Sequence, residues 1–283
     1  MRDYMEMWLT TYVDPVRAAS TAKGYRQALR HLGDDVQDTE LGQVMPLALQ
    51  RDINILAARH SRQAQVLYAV LHAALGRAGR LGMVAPGLMA AVDKPAHRKR
   101  RMRWLTARQL AQYMTAAADD AYYVRLALMA ICGLRRGEAL AVVPGDVDTA
   151  RAVLMVRRQV VAGQIKALKT ESSCRDVPLG DGMMRLLMSR ADYGYCSATT
   201  LYKHHQRVLT KARLPGVTIH ELRHTCATTL LSAGAGMATI QHYLGHARYG
   251  TTADIYAHTS RDALTRAARM IDGLMEQQLG MAI

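Results

Sequence analysis

The chain has 283 residues, half of them hydrophobic and 21% charged, enough for one large or two modest domains with real cores and too apolar for a disordered polymer. Lys and Arg number 37 against 23 Asp and Glu, a formal net charge of +14, which favours polyanionic partners such as nucleic acid or anionic lipid without choosing between them. No apolar run approaches the ~18 residues of a membrane-spanning helix, the acids Asp3 and Glu6 stand where a secretory leader has none, and Cys132, Cys174, Cys196 and Cys226 form no CxxC pair, so a cytoplasmic chain with reduced, incidental thiols is expected.

From Ser20 the text STAKGYRQALRHLG sets Tyr25, Leu29 and Leu32 at helical spacing and closes on Gly33, the pattern of a short amphipathic helix. A second helix is predicted over QAQVLYAVLHAALGRAGRLG, where Val66, Val70, Leu71, Ala74 and Leu75 share a stripe and Gly79 and Gly82 mark the end. With no Phe and 17 Met, Leu, Met and Tyr must fill the cores. Residues 1–92 therefore read as a small all-helical unit.

Residues 94–103, KPAHRKRRMR, hold six Lys or Arg in ten, and the interval 93–104 reads as a basic hinge. It is either a solvated linker or a tether along phosphates, in which Arg98, Lys99, Arg100, Arg101 and Arg103 each release a counterion. Both readings are compatible. The second domain, 105–283, opens at Thr106 with TARQ, a capping-box pattern in which Thr106 and Gln109 satisfy the first amides of a helix.

DAYYVRLALMAICG is helical and leads into GLRRGEAL; the period then changes to two in AVLMVRRQVV, a strand signal bounded by Asp148 and Gly163. Gly163 turns the chain back through QIKALKT, and RDVPL at 175–179 can pair as a third strand, giving one small antiparallel sheet on a helical domain. Beyond Asp181 the pattern is helical through TTLYKHHQRVLTKA, IHELRHTCATTLLSAG, MATIQHYLG, TTADIYAH and the tail ALTRAARMIDGLMEQQL. The expected architecture is mainly α, an all-helical amino-terminal domain followed by a mostly α domain with a small sheet.

Four segments concentrate polar groups that amphipathicity does not require: GLRRGE, ALKT, HELRH and LGHARYGTTADIYAH. Arg135 sits at a helix end where a fork of donors can be aimed into a cleft, with Glu138 three residues on to hold it; a plain surface pair with an i,i+3 carboxylate is the alternative. HELRH sets His220 and Arg223 three apart on one helical face, so an imidazole and a guanidinium can converge on one anion. The same string also matches H-E-x-x-H, with His220 and His224 as zinc ligands and Glu221 as base. Arg223 between the ligands opposes a dication, and nothing selects a third ligand among His242, His246 and His258. His246 and Tyr256 lie ten residues apart around a Gly-Thr turn, on consecutive short helices that can face one cleft.

In this order, Arg in GLRRGE, Lys in the strand turn, H-x-x-R, L-G-H and then Tyr, the segments resemble the tyrosine recombinase (phage integrase) family. The resemblance covers 104–260 closely and, more loosely, makes 1–92 similar to the family's helical, SAM-like core-binding domain. It implies that Arg135 and Arg223 clamp the scissile phosphate, that Lys169 protonates the leaving 5′ oxygen, and that His220 assists proton transfer at Tyr256. It further implies that His246 donates a hydrogen bond to the phosphate and that Tyr256 is the nucleophile of a 3′-phosphotyrosyl link, with Glu138 and His224 in supporting positions and neither metal nor cofactor. Lys166, three residues before Lys169, competes for the lysine's role. Cys132 stands where the family often has Thr, and VVPGDVD replaces a segment that usually carries an aromatic; neither departure touches the implied catalytic set.

The same resemblance implies the short form of the family, without an arm-binding domain, acting on core-type attachment sites in double-stranded DNA. A homotetramer is implied, coupled through the carboxyl-terminal helix, whose Leu264, Ala267, Ala268, Ile271, Leu274 and Met275 form a stripe that either packs on its own domain or docks on a neighbouring protomer. Accessory excision or DNA-bending proteins are further candidate partners, and the location is the nucleoid-associated cytoplasm. The expected function is a site-specific recombinase working through a Holliday junction. A relaxing enzyme of the type IB topoisomerase kind, a catalytically silent DNA-binding regulator on the same fold, and a zinc protease are the alternatives.

Overall fold

The computed structural model describes residues 1–97, 102–168, 173–190, 192–194, 196–245 and 261–279, the side chains of 261–263 and 275–279 excepted. It divides into two compact units, Met1–Arg100 and Arg101–Ile283, so the division falls inside the basic segment.

The first unit is helical. Helix α1 (Arg2–Trp8) buries Tyr4, Met5 and Trp8; the Tyr4 hydroxyl donates to the Ala74 carbonyl at 2.7 Å, and Trp8 stacks on Tyr25 of α2 (Ala19–Leu29). After the short α3 (Asp34–Asp38), α4 runs from Pro46 to Arg80, far longer than the stretch predicted from residue 63. Pro46 at its first position needs no amide partner, and Leu49, Ile53 and Leu56 continue the stripe that Leu67, Leu71, Ala74 and Leu75 complete. The two halves meet at His60, whose φ −141°, ψ 66° are non-helical, so the pattern extends through a kink. Val66, expected in the stripe, is only half-buried.

In the second unit α5 (Ala107–Ala117) carries the predicted capping box: Gln109 N donates to the Thr106 hydroxyl, and Thr106 N donates to the Gln109 side chain. Helix α6 (Tyr123–Ala130) is buried from Val124 to Ala130. Its Arg125 donates to the carbonyls of Ala139 and Val142, satisfying the end of α7 (Arg136–Ala141).

The strands differ from expectation. Residues 152–161 split into β2 (Val153–Val156) and β3 (Arg158–Val161), which belong to separate sheets. Strands β1 (Val147–Asp148), β2 and β5 (Arg175–Pro178) form an antiparallel sheet in the order β1-β2-β5, with Val153 opposite Pro178 and Val156 opposite Arg175. Among the described residues strand β3 pairs only with β4 (Gln164–Ala167), through a turn in which Ala162 and Gly163 both have positive φ. The break falls on two successive arginines with different partners: Arg157 pairs with Asp176 of β5, while Arg158 pairs with Asp146.

Four helices follow, α8 (Asp181–Met188), α9 (Ala198–Lys211), α10 (Glu221–Ser232) and α11 (Met237–Leu244). The last, α12 (Arg261–Leu279), buries Leu264, Ala267, Ala268 and Ile271 in the core of its own domain, against α5, α8, α10, α11 and β5. Of the two readings of this stripe, the described part follows the first: its own domain covers it. Leu274 is half-buried, and the Met275 side chain and the predicted helix 251–258 lie outside the described residues. No described helix is long and apolar enough to cross a membrane.

Candidate active site

Gly133 has φ +64° within the buried run that follows α6, and a Cβ there would come within 2.3 Å of Leu244 Cδ2. The bend brings Arg135 to the start of α7, where its side chain remains about a third exposed, at 35%. Glu138, one turn into α7 and 1% exposed, accepts from the Arg135 backbone N–H at 2.9 Å and from Arg135 Nη1 at 2.7 Å. The expected Arg135–Glu138 pair is thus present, but with a buried carboxylate and not as a surface pair.

Arg223, two residues into α10 and nearly fully buried, donates through Nη1 to the Gly133 carbonyl and through Nη2 to the Leu244 carbonyl, both at 2.6 Å. Arg135 Nη2 donates to the next carbonyl, Gly245, at 2.8 Å. A third arginine, absent from the sequence-based set, completes the row: Arg175 Nε donates to the Tyr243 carbonyl at 3.1 Å, and its Nη2 reaches Glu138 at 3.0 Å. Three cations therefore cap three successive carbonyls at the carboxyl end of α11, where the helix dipole is negative and the last carbonyls have no helical partners.

The signal for Arg175 lies in the period of β5. Arg175 and Val177 are two apart on one face and both buried, and a charge on the core-facing side of a strand requires a buried partner.

Three guanidinium groups around one carboxylate leave the site strongly positive. Burial alone would raise the Glu138 pKa, but the Arg175 charge and the hydrogen bonds from Arg175 and Arg135 hold it below the usual value. Burial, with the neighbouring Arg135 and Arg175, pushes Arg223 down to about 9, which still leaves it cationic at neutral pH. Each guanidinium has further N–H donors beyond those used on carbonyls.

His220 occupies the N-cap position of α10, and its side chain makes no capping hydrogen bond there. Partial desolvation of its ring, together with the Arg223 and Arg135 charges, lowers its pKa, favouring the neutral imidazole, a proton acceptor. His224 packs edge-on against Trp104 at 5.7 Å. Glu221 accepts from the backbone amides of Arg103 and Thr218, which ties this carboxylate to the backbone. Among the described residues no group of three or more His, Cys, Asp or Glu is arranged to hold a metal ion.

Of the remaining expected residues, Arg103 is described: it is exposed, and its guanidinium donates to the Gly216 carbonyl. Lys166 is exposed on β4, opposite Gln159. Lys169, His246, Tyr256, Arg98, Lys99, Arg100 and Arg101 lie outside the described residues. The four cysteines are free; Cys132, Cys196 and Cys226 are buried and Cys174 exposed.

Residues 103–262 match the phage integrase family. The prophage phiRv2 integrase of Mycobacterium tuberculosis is 24% identical over 300 residues, covering 98% of this chain and 79% of that protein. Tyrosine recombinase XerC of Agrobacterium fabrum is 27% identical over 277 residues, 87% of each chain. A XerC-like tyrosine recombinase of Caldanaerobacter subterraneus is 26% identical over 182 residues, and there this chain spans only 46% of the relative. Among solved structures, a lambda integrase dimer bound to a core site aligns with TM-score 0.70 at 18% identity, over 88% of this chain and 95% of that one. The Tn1549 transposon integrase bound to circular-intermediate DNA aligns with TM-score 0.73 at 19% identity, over 95% and 97%. At these identities the structures speak to the fold.

Proposed function

The chain belongs to the phage integrase family and is a site-specific tyrosine recombinase, and we propose that Tyr256 is its nucleophile, with Arg135 and Arg223 as the clamp on the scissile phosphate. The observation that carries this reading is the convergence of both guanidinia on the carbonyls of Leu244 and Gly245, immediately before His246 in the chain. Fixed, partly desolvated donors are what a phosphoryl-transfer transition state requires, because they stabilise developing charge without reorganising.

The Tyr256 oxygen attacks phosphorus and its proton passes to His220, whose neutral form suits it as acceptor. The bond from phosphorus to the 5′ oxygen breaks, Lys169 protonates that oxygen, and a 3′-phosphotyrosyl link remains. A phenol of pKa ~10 needs this assistance at neutral pH. The link conserves one ester bond, so a 5′-hydroxyl from a second strand can attack it, return the proton to Tyr256 and reseal without another energy source. Two such exchanges pass through a Holliday junction.

The substrate is double-stranded DNA at core-type sites, held by the helical unit, the domain carrying Tyr256 and the basic hinge with Arg98, Lys99, Arg100, Arg101 and Arg103 on phosphates. Lambda integrase is a tetramer on a Holliday junction, and the same assembly of four copies on nucleoid DNA is our reading for this chain, with excision or bending proteins as further partners. A coupling contact made by α12 must use residues other than Leu264, Ala267, Ala268 and Ile271, which its own domain covers.

The test is a pool of nicked duplexes with a randomised core, incubated with the protein in EDTA, denatured and fractionated for protein-linked DNA. An adduct mapped to Tyr256 by mass spectrometry is the expected outcome, and transfer of the trapped strand to a second labelled duplex separates recombination from simple relaxation. An adduct at another residue overturns the assignment of Tyr256.

A further inference from the structure

Arg175 opens β5, and its side chain is only 4% exposed. All three guanidinium nitrogens have partners: Nε donates to the Tyr243 carbonyl, Nη1 to the Ser173 carbonyl and Nη2 to Glu138 Oε2. Glu138 in turn holds Arg135, and Arg135 reaches the Gly245 carbonyl. The contacts close a ring from residue 243, through Arg175, Glu138 and Arg135, to residue 245.

Two features indicate that this ring sets geometry and does not merely add stability. A buried ion pair roughly breaks even against desolvation, so a second cation on Glu138 is a weak device for stability; what it adds is a hold on the carboxylate from a second element, because Oε2 accepts from Arg175 of β5 as well as from the Arg135 N–H, while Oε1 faces Arg135 Nη1. Gly245, with φ +67°, also lies directly on Arg175: a Cβ there would stand 2.8 Å from Arg175 Cδ and 3.1 Å from Nε. The arginine stem occupies the space a side chain would need, so the left-handed residue that ends α11 is packed against Arg175.

We propose that Arg175 is a positioning residue for strand cleavage, acting through Glu138 on Arg135 and through the last turn of α11 on the carbonyls that Arg135 and Arg223 hold. It rests on the reading of Arg135 as a phosphate clamp. Glu138 faces Arg135 from α7, Arg175 from β5 and Arg223 from α10. Without Arg175, burial gains weight over the remaining cations, and the carboxylate protonates at higher pH and loosens its hold on Arg135.

The experiment measures single-turnover adduct formation against pH on one nicked duplex recovered from the randomised pool, with wild type, Arg175→Met, Arg175→Lys, and Arg175→Met combined with Glu138→Gln. Arg175→Met is expected to bind the duplex as wild type does but to cleave about 10²-fold more slowly, the scale of a misplaced reacting group, with the acid limb of its pH profile moved upward. Glu138→Gln in that background removes the moved limb. Arg175→Lys keeps the charge but has one nitrogen for partners that now use three, so it retains the wild-type limb and shows an intermediate loss.

Wild-type cleavage by Arg175→Met, or slowed cleavage with an unmoved limb, overturns the proposal. If Arg175→Met does not fold, a folded Arg175→Lys cleaving at the wild-type rate does the same. Absence of an adduct with the wild-type protein rejects the clamp reading itself and this proposal with it.

Discussion

Arg223 and Arg135 donate to adjacent carbonyls, Leu244 at 2.6 Å and Gly245 at 2.8 Å, although the two arginines lie on different helices. One is nearly fully buried and the other a third exposed, so Arg223 is the rigid member and Arg135 the accessible one. Replacing either by Ala is expected to lower single-turnover cleavage by ~10²–10³, the cost of one preorganised donor. Arg223→Ala also leaves the Gly133 and Leu244 carbonyls without their donor, so it should lower thermal stability as well, whereas Arg135→Ala should do so less. Cleavage kinetics alongside thermal melts check both; near-normal cleavage by either folded variant removes that residue from the clamp.

Tyr256→Phe is expected to retain DNA affinity and lose the covalent adduct entirely, because only the attacking oxygen is gone. Gel-shift titration and denaturing electrophoresis of the same reactions give the two readouts. An adduct formed by the Phe variant would mean that a different side chain attacks.

The local pairs Arg135–Glu138 and His220–Arg223 were legible in the sequence because each lies within a short motif whose spacing already sets its geometry; that the two pairs meet was implied only by the family resemblance. Arg175 was not legible, since its role depends on β5 pairing with β2 and on α11 lying against it, contacts that join residues 37 and 68 positions apart. The single sheet predicted from 152–161 failed for a related reason. Period-two alternation continues through Arg157 and Arg158, but their acidic partners, Asp176 and Asp146, lie on opposite sides in the chain and draw the strands into different sheets. The full extent of α4 was readable in Leu49, Ile53 and Leu56, and was obscured by the non-helical residue His60.

Neutralising Arg98, Lys99, Arg100 and Arg101 together should weaken binding by a similar factor on every duplex sequence and flatten the salt dependence, by roughly 0.9 in slope for each phosphate that keeps its counterion. Affinities measured over a range of salt concentrations on two unrelated duplexes test this. A changed sequence preference at constant slope would assign the segment to base readout instead.

His205 is fully buried; it donates through Nε2 to the Val217 carbonyl and accepts the Tyr113 hydroxyl at Nδ1, each at 2.9 Å. Both nitrogens are satisfied by the neutral ring, and burial holds the pKa below the ordinary 6.5. The unfolded chain therefore takes up a proton before the folded one as pH falls. This group's contribution to stability is complete above about 6.5 and is lost below it, by at most ~1.4 kcal/mol per pH unit. Denaturant unfolding of wild type and His205→Gln from neutral into mildly acidic buffer should show a shallower pH dependence in the variant, and parallel curves would contradict the assignment.

Ile271 of α12 is fully buried among its own domain's side chains, so Ile271→Ala should cost about 2–5 kcal/mol of stability, independent of protein concentration. A helix whose apolar face instead docked on a neighbouring copy would show the opposite behaviour: the loss would fade on dilution, because the wild-type contact itself dissociates by mass action. Unfolding curves at two widely separated protein concentrations distinguish the cases. Concentration-dependent destabilisation would mean that the stripe from Leu264 to Ile271 exchanges between copies.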